Sequence, residues 1–269
     1  MTNRILIFGK GYIGTRLGQG LGAAVSRKRI RTLNDAEREI SRYKPKVIIN
    51  CVGHIGKRNV DDCDSAKEKT LFANSFVPLI LAEAAIRNRI KLIHVSTGCI
   101  YRYDYKRDKP ITEDRIPDFF GLYYSRTKIY AERALEALAR KSDILIVRIR
   151  IPLDDRPHPR NILTKLLKYK TLNPLPNSVT YVPDFIRALK HLIRIDSRGI
   201  YNLVNKGGLK LDELSKAYQK YGPKLDCKEG KAGMNRTNLI LSTRKLEESG
   251  FKVRPIKEVL DECVEKYLS

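Results

Sequence analysis

The sequence predicts an α/β protein, built as a doubly wound parallel sheet with a smaller C-terminal substrate-binding lobe. Three observations carry this. Up to about residue 150, short apolar runs alternate with stretches of helical length, the pattern of successive βαβ units. A glycine-rich turn, Gly9-Lys10-Gly11-Tyr12-Ile13-Gly14, follows the first apolar run directly. Beyond Pro152 the character changes, as prolines at 152, 157, 159, 174, 176 and 183 interrupt the chain.

The run from Arg4 to Phe8 is continuously apolar after its first residue and stops at Gly9, as a strand buried on both faces does. A helix is predicted over about 12–21, a brief second strand over 23–26, and a second helix over 35–43 capped by Asn34. A third strand covers 47–51. In the long stretch 65–88, Leu71, Phe72, Ser75, Leu79 and Ala82 recur at helical spacing on roughly one face. Strand-like residues return at 91–95, a polar loop follows, and a helix is predicted over about 119–140. Residues 144–149 form a last β-rich run. Helices near 160–169, 183–194, 211–221 and 256–267 then alternate with short strands. Residues 1–150 are therefore read as a dinucleotide-binding domain and 151–269 as the substrate lobe, interleaved with the sheet.

The glycine turn matches Gly-x-Gly-x-x-Gly between a strand and a helix, which is the setting of a Rossmann-type dinucleotide site. Gly9 permits the tight turn, Gly11 lets backbone approach a pyrophosphate, and Gly14 allows close helix–sheet packing. Tyr12 and Ile13 open the helix whose N–H groups face the phosphates. The end of the second strand reads Ser26-Arg27-Lys28-Arg29, with no acid before Asp35. An acid there would hold the ribose hydroxyls of NAD, whereas this basic cluster suits a 2′-phosphate and predicts NADPH in preference to NADH. A solvated basic turn is the plain alternative.

Tyr124-Ser125-Arg126-Thr127-Lys128 sets a phenol and an ammonium four residues apart on one helix face. A free phenol titrates near 10, and a neighbouring cation favours its ionised form. Thr97, just past the strand 91–95, sits at the carboxyl end of the sheet, where open α/β folds place ligands. His54, His94, His158 and His191 lack metal-ligand spacing and are read as structural or surface residues, with no metal site.

These residues resemble the extended short-chain dehydrogenase/reductases, and more narrowly the nucleotide-rhamnose synthase/epimerase-reductases, relatives of the dTDP-4-dehydrorhamnose reductases. The resemblance covers most of the chain. It runs through the glycine loop, Asn59–Asp64, Asn74, Thr97-Gly98-Cys99-Ile100, Tyr124 with Lys128, and Arg148–Pro152. It continues through Pro159-Arg160-Asn161-Ile162-Leu163-Thr164-Lys165, Pro176–Thr180, Arg236-Thr237-Asn238 and Leu241–Leu246. Tyr-x-x-x-Lys marks the whole superfamily; the Thr-Gly-Cys and Pro-Arg-Asn-x-x-x-Lys stretches are narrower. By this resemblance Thr97 and Tyr124 bind a 4-keto oxygen, with Tyr124 the proton donor, and Lys128 holds the nicotinamide ribose. Cys99 and Lys165 match positions used for epimerisation at carbons 3 and 5, and a thiolate is competent to take a proton alpha to a ketone. Asn161, Arg160 and Arg236 are implied at the substrate, and Arg148 and Arg150 are candidates for its diphosphate. The glycine loop is one residue shorter than the Gly-x-x-Gly-x-x-Gly usual in extended members, and the second βα unit is short.

The expectation is a bifunctional 3,5-epimerase/4-reductase acting on a UDP- or dTDP-linked 4-keto-6-deoxyglucose to give nucleotide-L-rhamnose. A reductase alone is the near rival. A non-catalytic dinucleotide-binding module with a basic RNA- or protein-binding surface is the rival from another class, and the presence of both Tyr124 and Lys128 argues against it. With 53 Lys+Arg against 30 Asp+Glu, the net charge of +23 first points to nucleic acid. The excess is spread over the chain without a basic tail, so nucleotide ligands are the preferred anions and nucleic acid is not an expected partner. There is no run of about 18 uninterrupted apolar residues, and the first residues lack the apolar core of a secretory leader. A cytoplasmic enzyme without a membrane partner is expected, with a homodimer left open.

Overall fold

The computed structural model describes residues 5–230 and 238–269. In chain order its elements begin β1 (Ile5–Phe8), α1 (Tyr12–Leu21), β2 (Ala24–Ser26), α2 (Leu33–Tyr43), β3 (Val47–Asn50), α3 (Lys67–Leu71), α4 (Val77–Arg87), β4 (Lys91–Thr97), α5 (Tyr123–Ala139) and β5 (Ile144–Ile149). They continue with β6 (Pro152–Leu153), α6 (Ile162–Leu166), β7 (Thr171–Leu172), β8 (Thr180–Tyr181), α7 (Val182–Arg194), β9 (Gly199–Asn202), α8 (Leu211–Gln219), β10 (Lys228–Glu229), α9 (Arg244–Glu248) and α10 (Leu260–Leu268).

The main sheet runs β2-β1-β3-β4-β5-β9, and β1 pairs in parallel with both β2 and β3, as β3 does with β4. The chain steps outward from β1 to β2, then crosses back to β3. This places the reversal of strand order between β1 and β3, whose carboxyl ends form the crevice where doubly wound sheets hold ligands. The second βα unit is short because α2 leads straight into β3, and among the described residues β2 is the edge of this sheet.

Two compact units divide the chain. The first holds everything up to Ile100, together with Pro117–Arg148 and Ile193–Tyr201; the second holds Tyr101–Ile116, Ile149–Leu192 and the chain from Asn202 onward. A single cut at residue 150 differs from this division in two places, since 101–116 cluster with the later residues and 193–201 with the earlier ones. The core of the first unit collects Leu6, Phe8, Ile48, Leu81, Leu92, Leu135 and Ile146 from strands and helices alike. The second has its own core around Leu153, Leu163, Tyr181, Leu214 and Val264. It also carries two small parallel pairs, β6 with β8 and β7 with β10.

Two helix starts and one run of helix differ most from the sequence reading. Helix α2 starts at Leu33 with Thr32 as its cap, not Asn34: the Thr32 hydroxyl accepts the Asp35 N–H, and the Asp35 carboxylate accepts the Thr32 N–H. Helix α5 starts at Tyr123, and the residues before it form a loop in which the N–H groups of Asp118 and Phe119 both donate to the Ile100 carbonyl. The run 67–87 contains a π-helical turn at Phe72–Phe76, which turns Phe72 outward (37% exposed) from the face it was expected to share. Lys67–Arg87 is long and apolar enough to cross a membrane by length and composition, and half of it is buried within the fold, as in a core helix.

Candidate active site

The site in the first unit is built where β1, β3 and β4 end. Gly9 has φ +103°, and a Cβ there would lie 2.6 Å from the Cys51 carbonyl carbon and the Val52 nitrogen. A Cβ on Gly14 would lie 1.9 Å from the Gly9 carbonyl oxygen. Both glycines are thus required for β1, the turn and α1 to approach β3. Gly11 differs, for a Cβ on it meets nothing within 4 Å. It sits at the N-cap of α1, where no side chain caps the helix and no acidic residue occupies the first turn. Those features fit a bound pyrophosphate.

At the end of β2, Arg27, Lys28 and Arg29 are exposed and Ser26 is buried. The Ser26 hydroxyl donates to Glu39 and accepts the Lys28 N–H, so the structure gives it an internal role in addition to its expected place at the cofactor. Lys28 pairs with Asp35 at 3.3 Å. The backbone N–H of Arg31, that of Thr32 and the Lys28 ammonium hold the Asp35 carboxyl down at about 2. Glu39 is the acid near β2 that the sequence did not reveal, because it comes from α2 and not from the strand.

The strand end of β4 and the first turns of α5 carry the reactive candidates. The Thr97 hydroxyl accepts the Cys99 N–H at 3.1 Å, and the Ser125 hydroxyl donates to the Cys99 carbonyl at 2.5 Å. Tyr124 is 8% exposed, and Lys128, one turn later, is buried with its Nζ donating to the Val95 carbonyl at 3.1 Å. Burial draws the Lys128 ammonium down to about 8, against the opposing pull of Glu132, Cys51 and Cys99. Burial also pushes the Cys51 thiol up to about 12. Asn74 clamps the turn after β3: its Oδ1 accepts the His54 N–H at 2.7 Å, while its Nδ2 donates to the His54 carbonyl and to Thr127 Oγ1. Thr127 in turn donates to the Tyr124 carbonyl at 2.8 Å. Thr97, Cys99, Tyr124 and Lys128 therefore belong to one unit with the glycine loop.

In the second unit the Asn161 amide is fully buried and committed to backbone. Its Oδ1 accepts the N–H groups of Leu163 and Asp154, and its Nδ2 donates to the carbonyls of Asp154 and Arg156. It caps α6 and shapes the preceding loop, and this is a correction to the direct substrate contact expected of it. Arg160 and Lys165 are half-buried at the start of the loop–helix junction and in the last turn of α6. Arg150 donates to Asn177 at 3.1 Å. Arg148 is corrected as a diphosphate candidate: it belongs to the first unit, is 1% exposed and is paired with the equally buried Glu132. Arg236 lies outside the described residues.

Residues 3–208 match the RmlD substrate-binding domain. The chain belongs to that family. It is 31% identical over 229 residues to a bifunctional dTDP-4-dehydrorhamnose 3,5-epimerase/dTDP-4-dehydrorhamnose reductase of Arabidopsis thaliana, covering 80% of this chain and 74% of the relative. It is equally identical to a trifunctional UDP-glucose 4,6-dehydratase/UDP-4-keto-6-deoxy-D-glucose 3,5-epimerase/UDP-4-keto-L-rhamnose-reductase of the same plant, over 81% of this chain. Of that longer relative the chain spans 34%. Among solved structures, the UDP-rhamnose synthase of Acanthamoeba polyphaga mimivirus superposes with a TM-score of 0.90 at 28% identity, over 98% of this chain and 99% of that one. The RmlD family and its extended dehydrogenase/reductase fold are those the sequence motifs pointed to.

Sequence reasoning missed Asn50, His94, Thr127 and Glu132. A signal was present. His94 and Ser96 alternate onto one face of β4, and Lys128 and Glu132 are four apart on α5. The pairs meet, with Lys128 Nζ 3.4 Å from His94 Nε2 and the Ser96 hydroxyl donating to Glu132 at 2.7 Å.

Proposed function

We propose that this protein is a bifunctional NADPH-dependent enzyme that epimerises carbons 3 and 5 of a nucleotide-linked 4-keto-6-deoxyglucose and reduces carbon 4, giving nucleotide-L-rhamnose. The observation that supports the reading is that α5, which bears Tyr124 and buried Lys128, is tied to the end of β4 by Lys128 Nζ on the Val95 carbonyl and by Ser125 on the Cys99 carbonyl, in the same unit as a glycine loop suited to a pyrophosphate. The backbone of Gly9, Gly11, Tyr12, Ile13 and Gly14 would hold the cofactor phosphates, and Arg27, Lys28 and the Ser26 turn its 2′-phosphate. Tyr124 and Lys128 would hold its nicotinamide ribose. NADPH supplies the hydride for carbon 4.

Thr97 and Tyr124 hydrogen-bond the 4-keto oxygen, and Tyr124 gives that oxygen its phenolic proton as the carbonyl becomes an alcohol. The Lys128 charge stabilises the tyrosinate left behind. For epimerisation, Cys99 as thiolate removes the proton alpha to the ketone, and Lys165 returns one to the opposite face of the enolate. Arg160 serves the diphosphate, and Arg236 belongs to the same role by its motif. The protein is read as a soluble cytoplasmic enzyme whose partner is the nucleotide sugar.

The test supplies UDP- or dTDP-4-keto-6-deoxyglucose and NADPH in heavy water. Deuterium at carbons 3 and 5 together with NADPH loss is the expected result. NADPH loss without ring deuteration leaves a 4-reductase, and turnover of neither sugar overturns the enzyme reading. Cys99→Ser should abolish ring exchange while sparing reduction of substrate already epimerised; equal loss of both would sink the division of labour.

A further inference from the structure

His94 is fully buried on β4, and the chemistry above gives it no task. Its Nδ1 lies 3.1 Å from Asn50 Nδ2 and its Nε2 lies 3.4 Å from Lys128 Nζ. The other end of the Asn50 amide fixes which group faces the ring: Oδ1 accepts the Val52 N–H at 2.9 Å, so the NH2 points at the imidazole. An amide NH2 only donates, and Nδ1 must therefore present its lone pair. Burial, and after it the nearby Lys128 charge, hold the imidazole neutral, well below the ordinary histidine range. A neutral ring carries one N–H, which this arrangement puts on Nε2, aimed at the lysine nitrogen.

An ammonium has three donors and no lone pair, and Lys128 spends one donor on the Val95 carbonyl. An N–H pointed at an ammonium opposes two positive ends, whereas the same N–H pointed at a neutral amine makes a hydrogen bond. We propose that His94, locked by Asn50 as its Nε2–H tautomer, is a positioning residue that disfavours the charged form of Lys128 and so sets the pH at which this lysine releases its proton to solvent.

The groups around the lysine are Glu132 from its own helix, Cys51 beyond β3, Cys99 beyond β4, and His94 itself. The first three favour the ammonium, and burial, the largest influence, draws it down to about 8. The oriented N–H of His94 adds to that downward pull. The consequence for turnover rests on the role proposed above for Lys128. Above this pH the Tyr124 phenol loses its cation, so the alkaline limit of activity belongs to a histidine that touches no substrate.

The test reads the free protein by NMR and needs neither NADPH nor sugar. With 15N-histidine, the His94 ring, identified by its loss in His94→Phe, should show protonated Nε2 and bare Nδ1 throughout the neutral range. With 13C-lysine, Lys128, identified by its loss in Lys128→Arg, should titrate about one unit higher in His94→Phe than in the parent. Asn50→Asp keeps the acceptor for the Val52 N–H and accepts from Nδ1–H, so it should reverse the tautomer and raise the lysine as well. An Nδ1–H or doubly protonated His94 in the parent overturns the proposal, as does a Lys128 midpoint unmoved in His94→Phe. Should His94→Phe not fold, the tautomer in the parent and in Asn50→Asp still decides. Absence of sugar turnover would refute the proposed activity and leave these signals unchanged.

Discussion

At the scale of the residue, the buried pair of Glu132 and Arg148 shows how context reassigns a charge. Both are 1% exposed, the guanidinium Nε donates to Glu132 Oε1 at 2.9 Å, and Ser96 donates to the second carboxylate oxygen. Removing one member of such a pair leaves a charge with neither water nor its counterion. Glu132→Ala is expected to cost roughly 3–5 kcal/mol of stability, measured by urea unfolding, while the double replacement Glu132→Leu with Arg148→Met should recover much of that loss. In sequence, Arg148 reads as another cation available to a phosphate, because nothing in its neighbourhood announces a carboxylate sixteen residues earlier. Tyr124 and Lys128 were legible because their relation is local, one helical turn. Asn50 and His94 act on that same helix from a distance in sequence, and their part required the fold.

At the scale of the element, the π turn at 72–76 is the feature that joins packing to the site. Pro78 stands at the start of α4 and has no N–H to offer the ordinary ladder, and its ring crowds the carbonyl four residues back. The helix opens there, and Val77 bonds to Phe72, five residues earlier. The widened turn lets consecutive side chains both reach α5: Asn74 donates to Thr127 Oγ1 and Ser75 to the Thr127 carbonyl at 2.8 Å. Asn74→Ala would strand the His54 backbone pair and unbuckle Tyr124 from the turn after β3. The expected cost is about 2 kcal/mol in stability and roughly 10- to 100-fold in kcat/KM. Phe72→Ala, on the exposed side of the same turn, should change stability by only about 0.5 kcal/mol. Helical periodicity located this helix and misplaced its faces, since a regular 3.6-residue repeat does not allow for the extra residue of a π turn.

At the scale of the whole molecule, the alternation of strands and helices was plain in the sequence, since it follows from local pattern. The composition of the two units was not, because 101–116 and 193–201 trade sides through contacts distant along the chain. Strand β9 is the clearest case. It completes the main sheet beside β5, yet it is specified only after β6, β7, β8 and α7. During synthesis, β5 must therefore emerge and wait with one row of backbone donors and acceptors unpaired until β9 follows. An open apolar strand edge is a template for pairing with other chains. A protein ending at residue 150 should accordingly aggregate when expressed, and one ending just past Asn202 should form aggregates more slowly, as followed by light scattering; equal behaviour of the two would show that the edge is harmless. For the growing chain, the last strand of this sheet is a deadline set by the order of translation.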